Sequence, residues 1–443
     1  MRNSSPKSDK MAYTLGIGEN LRPFLEQLLQ VFFVGLTIGL QRTVIPALAE
    51  TEFGVVQGSL TAIFAFVVSF GVVKGAMNFV SGRLSERVGR RRVLIWGWLF
   101  ALPIPFLILW APSWGWIVAA NVLLGVNQGF CWSMTVTAKM DIVKGSQRGL
   151  ATGFNEFAGY GGVALAGLAT GYLASYFDPR MSLFVFGLVV IVLALFAAVL
   201  AFTETLPFAR AEAARHKSNA SSGPQTQYVE GPENPTSGQI FALVTWKNRN
   251  FMALAQAGSV EKFVDALMWA LVPVFMVSRG SSLIEIGWVT GIYGLVWGGS
   301  QLWTGPLSDV FGRKWPTVAG FFLCAAGVLM FPLFATVSAW AAVAAVIGVG
   351  MALLYPTLIA AMGDVAHPSW RGSALGVYRF WRDLGYAIGA LAMGIIADAS
   401  GMLEAGFWLT GVAMAASGLW LVLEMKETHP RLTSASKQEP TDE

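Results

Sequence analysis

Charge is scarce in this chain. Asp, Glu, Lys and Arg make up 13% of its 443 residues, against roughly 25% in soluble domains. Residues 93–138 hold no charge in 46 positions, and residues 315–363 none in 49. Each block has room for two helices across a hydrocarbon layer of about 30 Å. A soluble protein would need polar outer faces on those helices, and these blocks offer none. Cysteine is scarcer still. Cys131 and Cys324 both lie in apolar stretches, which excludes a disulfide framework or a thiolate metal site. The three histidines, His216, His367 and His429, fall in a linker, a loop and a tail, with no zinc spacing among them. No cofactor or metal is implied. No Walker sequence supports ATP drive, and no nucleophile–base set points to an enzyme.

What is present is hydrophobic: 55% of the chain. Apolar stretches between charge and turn signals mark twelve helical spans, near 27–48, 58–80, 93–110, 115–138, 149–173, 181–202, 251–277, 285–304, 316–334, 340–361, 373–396 and 404–424. The fold class expected is an all-α integral membrane protein of twelve transmembrane helices in two pseudo-symmetric six-helix bundles. Lys and Arg set the orientation. One set of loops and both tails carry 23 of the 30 cations, while the opposite loops hold only Arg180 and Arg279. That asymmetry predicts both termini and the central loop in the cytoplasm of a cell whose inner membrane the chain crosses. The basic pI therefore speaks of orientation at lipid and gives no case for nucleic acid. The polar, basic N-terminus MRNSSPKSDK lacks the shape of a cleaved signal peptide.

The domains expected are 1–204, an N-terminal bundle; 205–247, a cytoplasmic linker rich in Ser, Gly, Pro, Gln and Asn; 248–426, a C-terminal bundle; and 427–443, a flexible tail. A short surface helix around Arg210–Lys217 is compatible with the linker.

The two bundles carry the same text. Gly82-Arg83-Leu84-Ser85-Glu86-Arg87-Val88-Gly89-Arg90 answers to Gly305-Pro306-Leu307-Ser308-Asp309-Val310-Phe311-Gly312-Arg313 at an offset of 223. With that offset Asp141 meets Asp364, Arg148-Gly149 meets Arg371-Gly372, and Gly153 meets Gly376. One register across three separated places argues for duplicated halves, as in many secondary transporters. The two segments resemble the signature loop of the major facilitator superfamily, which falls between spans two and three and again between eight and nine. The resemblance covers about 400 residues. It implies two six-helix bundles rocking about a central cavity lined most directly by spans 1, 4, 7 and 10. It also implies that Glu86 meets the start of span 11 and closes the cytoplasmic side. Gly82, Glu86, Arg90, Asp141, Gly305, Asp309, Arg313 and Asp364 are the candidate cytoplasmic gate. The Gly159–Gly167 stretch is glycine-rich but lacks the proline of the exporter segment in that superfamily.

An ionisable side chain inside hydrocarbon is costly unless it is paired or faces water. Arg42 in span 1 matches Asp265 in span 7 at the same offset, with Glu261 one turn away. These three form a candidate outer gate and, with Glu156, the candidate coupling groups. Proton coupling is expected; sodium coupling or passive facilitation stays open. Glu156 of span 5 likewise matches Arg379 of span 11. Lys74, Arg379 and Arg382 outnumber the acids nearby, which favours a small solute with an anionic group. An exporter of amphipathic cations is the alternative. Asn127, Gln128, Trp132, Trp269, Tyr293 and Tyr355 complete the candidate cavity, since polar and aromatic groups inside spans can serve a substrate. The partners expected are a small-molecule substrate, a proton and membrane lipid, with a monomer sufficient.

Overall fold

The computed structural model describes residues 13–53, 60–220, 228–229 and 235–435, without the side chains of 41–44, 46–51, 60–67, 219–220, 283 and 434–435. Twelve helical segments form the body. Span 1 is Leu21–Thr51, span 2 Leu60–Val88, span 3 Arg90–Leu109, span 4 Trp114–Ile142, span 5 Arg148–Tyr176 and span 6 Pro179–Leu200. Span 7 covers 249–278, span 8 is Leu283–Phe311, span 9 Lys314–Leu333, span 10 Val337–Val365, span 11 Arg371–Ser400 and span 12 Glu404–Glu424. Nine helices among the described residues are long and apolar enough to cross a membrane by composition alone. Spans 2, 7 and 8 complete the twelve, and two of them carry buried charge: Lys74 in span 2, and Glu261, Lys262 and Asp265 in span 7.

Prolines bend two spans. Span 3 breaks between Ala101 and Pro103, since proline cannot donate in the helix ladder. Span 7 widens to a π-turn at Leu267–Leu271, directly before Pro273, the kind of local irregularity that accommodates a missing donor. The halves meet through two equivalent crossings, span 2 on span 11 and span 8 on span 5. Glycine makes these crossings close. A Cβ on Gly82 would lie 2.4 Å from the Gly372 carbonyl oxygen, and one on Gly305 2.4 Å from that of Gly149. Without hydrophobic drive inside lipid, such backbone approach is a main source of helix association.

Spans 2 and 8 do not stop at the expected 80 and 304. The helices run on to Val88 and Phe311, and the reversal is a single glycine, Gly89 at φ 97° and Gly312 at φ 88°, a conformation a side chain strongly disfavours. The short helix compatible with Arg210–Lys217 is present in the linker and is longer than that. The linker holds a helix at Leu206–Ala220 and another at Ser237–Ala242, the latter opened by a Thr236–Gln239 capping box. The tail expected to be flexible from 427 is ordered through 435, because the Glu427 carboxylate accepts from the backbone N–H groups of Arg313 and Lys314 at 2.8 and 3.2 Å.

Candidate functional site

The polar residues of the interface fall into two layers. The first lies at the end of the molecule where the linker sits. Each glycine turn is followed by a helix start whose first N–H groups lack intrahelical partners. Glu204 accepts from the N–H groups of Arg90 and Arg91 at 2.9 and 3.1 Å, and Glu427 serves the other half in the same way. A Cβ on Gly89 would lie 2.3 Å from the Glu204 carboxylate, and one on Gly312 2.3 Å from that of Glu427. Arg90 then reaches back to Asp141 at 2.8 Å, and Arg313 to Asp364 at 2.9 Å. Each of these four side chains is fully buried.

The remaining acids of the repeat cross the interface. Glu86 accepts from the Ser373 N–H at 2.6 Å and from its hydroxyl at 2.8 Å. Asp309 accepts from the N–H groups of Gly149 and Leu150 at 2.9 and 2.7 Å. Each acid of one half thus caps the first turn of a span from the other, where the helix presents partial positive charge. With these contacts made, the halves are closed against each other at the linker end.

The linker helix adds an acid that has no counterpart in the repeat. Glu212 takes Arg371 through two nitrogens at 2.8 and 2.9 Å and lies 3.5 Å from Arg148. Arg148 also pairs with Asp364 at 2.9 Å. Burial pushes the Glu212 carboxyl up, but Arg371, then Arg148 and the Tyr228 hydroxyl at 2.7 Å, overcome this and hold it down at about 2. The sequence offers a signal for Glu204 and Glu427, which are 223 apart. It offers none for Glu212, whose partners lie far away in the chain and nowhere in its own periodicity.

The second layer begins about 12 Å along the spans from the linker end, with Glu156 eight residues after Arg148, and reaches to Asp265, sixteen residues after Arg249. Asp383 of span 11 accepts from Asn78 of span 2 at 2.6 Å and lies 3.6 Å from Lys74. Arg382 pairs with Glu261 at 2.7 Å and lies over the Tyr355 ring at 3.6 Å. Lys262 bonds Asp265, and its ammonium faces the rings of Tyr355, Tyr386 and Trp297 at 4.7, 5.1 and 5.3 Å. Asp265 further accepts from Tyr293 at 2.7 Å and Tyr386 at 2.9 Å. Tyr160 joins the halves, its ring 4.2 Å from Trp297 and 5.7 Å from Trp132.

Glu156 and Arg379 are not paired with each other. Glu156 accepts from Trp132 Nε1 at 3.0 Å and Asn155 Nδ2 at 2.8 Å, and its Oε2 has no partner among the described residues. Arg379 donates to the Trp132 carbonyl at 3.5 Å, while its Nε and Nη2 have no partner among the described residues. Among the described residues the cations within ion-pair distance of Asp383 are Lys74 and Arg382, and Arg379 is not one of them. Asn127 and Gln128 are not brought to the interface. Asn127 donates to the Gly97 carbonyl at 3.0 Å, and Gln128 ties to Val34 and Thr37 in span 1; both hold their own bundle together. Trp269 is 37% exposed, at the margin of the layer. The Arg42 side chain lies outside the described residues, and the described partners of Asp265 are Lys262, Tyr293 and Tyr386. Lys139, expected among the orientation cations of a loop, is buried in span 4.

The family model described as Major Facilitator Superfamily matches residues 28–261 and again 257–441. The proton-coupled antiporter flippase LtaA of Staphylococcus saprophyticus is 23% identical over 398 residues, covering 88% of this chain and 91% of its own. The human organic anion transporter MFSD10 superposes with a TM-score of 0.73 at 16% identity, over 90% of this chain and 99% of its own. The proton:xylose symporter XylE gives 0.71 at 15% identity, over 94% and 98%. These likenesses show the fold.

Proposed function

Because the chain belongs to the major facilitator superfamily, we propose that it is a proton-coupled secondary transporter moving a small organic anion by alternating access. One observation carries the reading. Glu156 is the buried acid of the second layer with no cation within 4.0 Å among the described residues, whereas Glu261, Asp265 and Asp383 each have one. It meets Arg379, the cation with two unpartnered nitrogens, across Trp132.

Loading a proton onto Glu156 removes a negative charge beside Arg379 and so favours an anion there. By linkage, the bound anion favours the proton to the same degree. Binding of the two reinforces, and that is the logic of symport. Arg379 is the anion anchor, while Lys74 and Arg382, neutralised by Asp383 and Glu261, hold the layer together. Trp132, Tyr160 and Tyr355 supply flat walls for the apolar part of the solute. The names of the staphylococcal relative and of XylE support the proton as coupling ion. The linker end is the cytoplasmic end on the cation count, and Glu86, Asp309 and the paired Arg90, Asp141, Arg313 and Asp364 keep it shut until both helix starts are released. A monomer contains every part required.

The test is uptake into proteoliposomes under an imposed pH gradient, with a panel of carboxylates, sulfonates and phosphate esters set against lipophilic cations. The expected result is accumulation of an anion. Glu156→Gln keeps exchange and loses accumulation, Asp265→Asn keeps both, and Arg379→Ala loses anion binding. Tight binding of a cation that is indifferent to Arg379→Ala would overturn the reading in favour of an exporter.

A further inference from the structure

Lys139 is fully buried in span 4, and an unpaired ammonium there is expensive. No carboxylate lies within 4.0 Å of it among the described residues. Its Nζ donates to Asn155 Oδ1 at 2.9 Å, and the same amide donates through Nδ2 to Glu156 Oε1 at 2.8 Å. The amide thus turns its oxygen to the cation and its nitrogen to the acid, the orientation a charged pair on either side imposes. The groups facing Lys139 from the packed elements are few. Span 1 offers the Phe24 ring at 5.8 Å, span 5 offers Asn155 and, beyond it, Glu156, and on its own span Asp141 is engaged by Arg90. Facing Glu156 are the Trp132 indole of span 4, Tyr355 of span 10 and, on the Trp132 carbonyl, Arg379 of span 11. The offset of 223 places Met362, Tyr378 and Arg379 at the equivalent positions of the second half, so this bridge is no part of the repeated framework.

We infer that Lys139 is the counter-charge of Glu156, held one amide away, and that it sets the pH at which that acid loads its proton; the inference rests on the proposed role of Glu156. While Lys139 holds its proton, its charge favours the ionised carboxylate, so removing it makes proton loading easier. Lys139 acts through Asn155 and touches no substrate; it is a positioning residue.

The experiment is an infrared pH titration of the purified full chain in lipid, which needs no substrate and reads the protonated carboxyl band directly. Of the carboxyl bands that titrate in the wild type, Glu156→Gln removes one. In Lys139→Met the midpoint of that band moves alkaline by about one pH unit. Lys139→Arg restores the wild-type midpoint, and Asn155→Leu moves it in the same direction by less. Where Lys139→Met does not fold, Asn155→Leu against Lys139→Arg decides. A titration with no band removed by Glu156→Gln overturns the proposed proton site, and this inference with it. A band removed by Glu156→Gln whose midpoint is the same in Lys139→Met and Asn155→Leu overturns this inference alone.

Discussion

At the linker end the two halves do the same thing twice, and one helical layer deeper they do not. Glu204 and Glu427, Arg90 and Arg313, Asp141 and Asp364, Gly82 and Gly305 occupy matching places with matching partners. In the second layer the offset sets Lys74 against Trp297, Trp132 against Tyr355, Asn155 against Tyr378 and Glu156 against Arg379. The repeated layer solves a problem both halves share: capping a helix start and packing two backbones closely. The unrepeated layer has no such common task. A single site facing both halves needs different groups on its two sides, so symmetry there would defeat an anion site opposite a proton site. On this argument, divergence from the repeat marks the chemistry better than agreement with it does.

The largest effect tests the repeat itself. Asp141→Ala leaves Arg90 buried without its carboxylate, whereas Asp364→Ala leaves Arg313 with Asp309 at 2.7 Å and Arg148 with Glu212 at 3.5 Å. Breaking a buried pair costs about 3–5 kcal/mol. Thermal unfolding of the purified protein is expected to place Asp141→Ala near the upper figure and Asp364→Ala near the lower. The reverse order would mean that Asp309 and Glu212 do not stand in for the lost carboxylate as the geometry indicates.

Next comes the contact that breaks the symmetry, Glu212. Its carboxyl lies at about 2 in the folded protein against an ordinary 4.5, a depression worth about 3 kcal/mol at neutral pH. The sign follows from the direction. The contribution is complete above the ordinary value and is lost as the pH falls through the folded one. Glu212→Gln should lower stability at neutral pH by about that amount and flatten the acid limb of the stability–pH curve. A curve that keeps its acid limb in the variant would remove Glu212 from the closure.

Much of the first layer was legible in the sequence because repetition made it so. Glu86, Asp309 and the arginine–aspartate pairs all stand at one offset, and the resemblance supplied where Glu86 would go. Glu204 and Glu427 stood at that offset too and went unread, since a carboxylate near a span end resembles any loop acid. The second layer was only half legible. Charge in hydrocarbon identifies Glu156, Asp265 and Arg379 as residues needing an account, but pairing depends on helix rotation, which spacing along one chain does not fix. So the Glu156–Arg379 couple expected from symmetry is replaced by Trp132 between them, and Lys139 reads as a loop cation because it follows directly on the charge-free run of residues 93–138. The linker helix around Arg210–Lys217 was legible as a short segment, but the ion pairs that hold it to other elements leave no trace in its composition.

Smaller again is the cost of spoiling one close crossing. Gly82→Ala and Gly305→Ala place a methyl 2.4 Å from a facing carbonyl oxygen, and the backbones must part. Overpacking of this kind costs about 1–3 kcal/mol, and it falls only on the state in which the linker end is closed. Both variants should therefore raise the labelling of cysteines introduced at the linker end, and to similar degrees. Unequal labelling would show that closure is carried mainly by one crossing, and the symmetry of the first layer would then be structural without being energetic.

The smallest effect is expected at Asp265, where the second layer is richest in bonds. Tyr293 and Tyr386 both donate to it, and Lys262 neutralises it; the first half has Phe70 and Val163 at the tyrosine positions. Tyr293→Phe removes one hydroxyl while the other donors stay in place, so the loss is about 1 kcal/mol. Tyr386→Phe should cost no more, because a phenylalanine ring still faces the Lys262 ammonium. Together they leave Asp265 with Lys262 alone among its described partners, and the double variant should lose more than the sum, since each hydroxyl covers for the other. None of the three should abolish gradient-driven accumulation, because on this reading the proton travels on Glu156. If Tyr293→Phe abolishes accumulation while Glu156→Gln keeps it, the proton site lies at Asp265 and the assignment of the two acids must be exchanged.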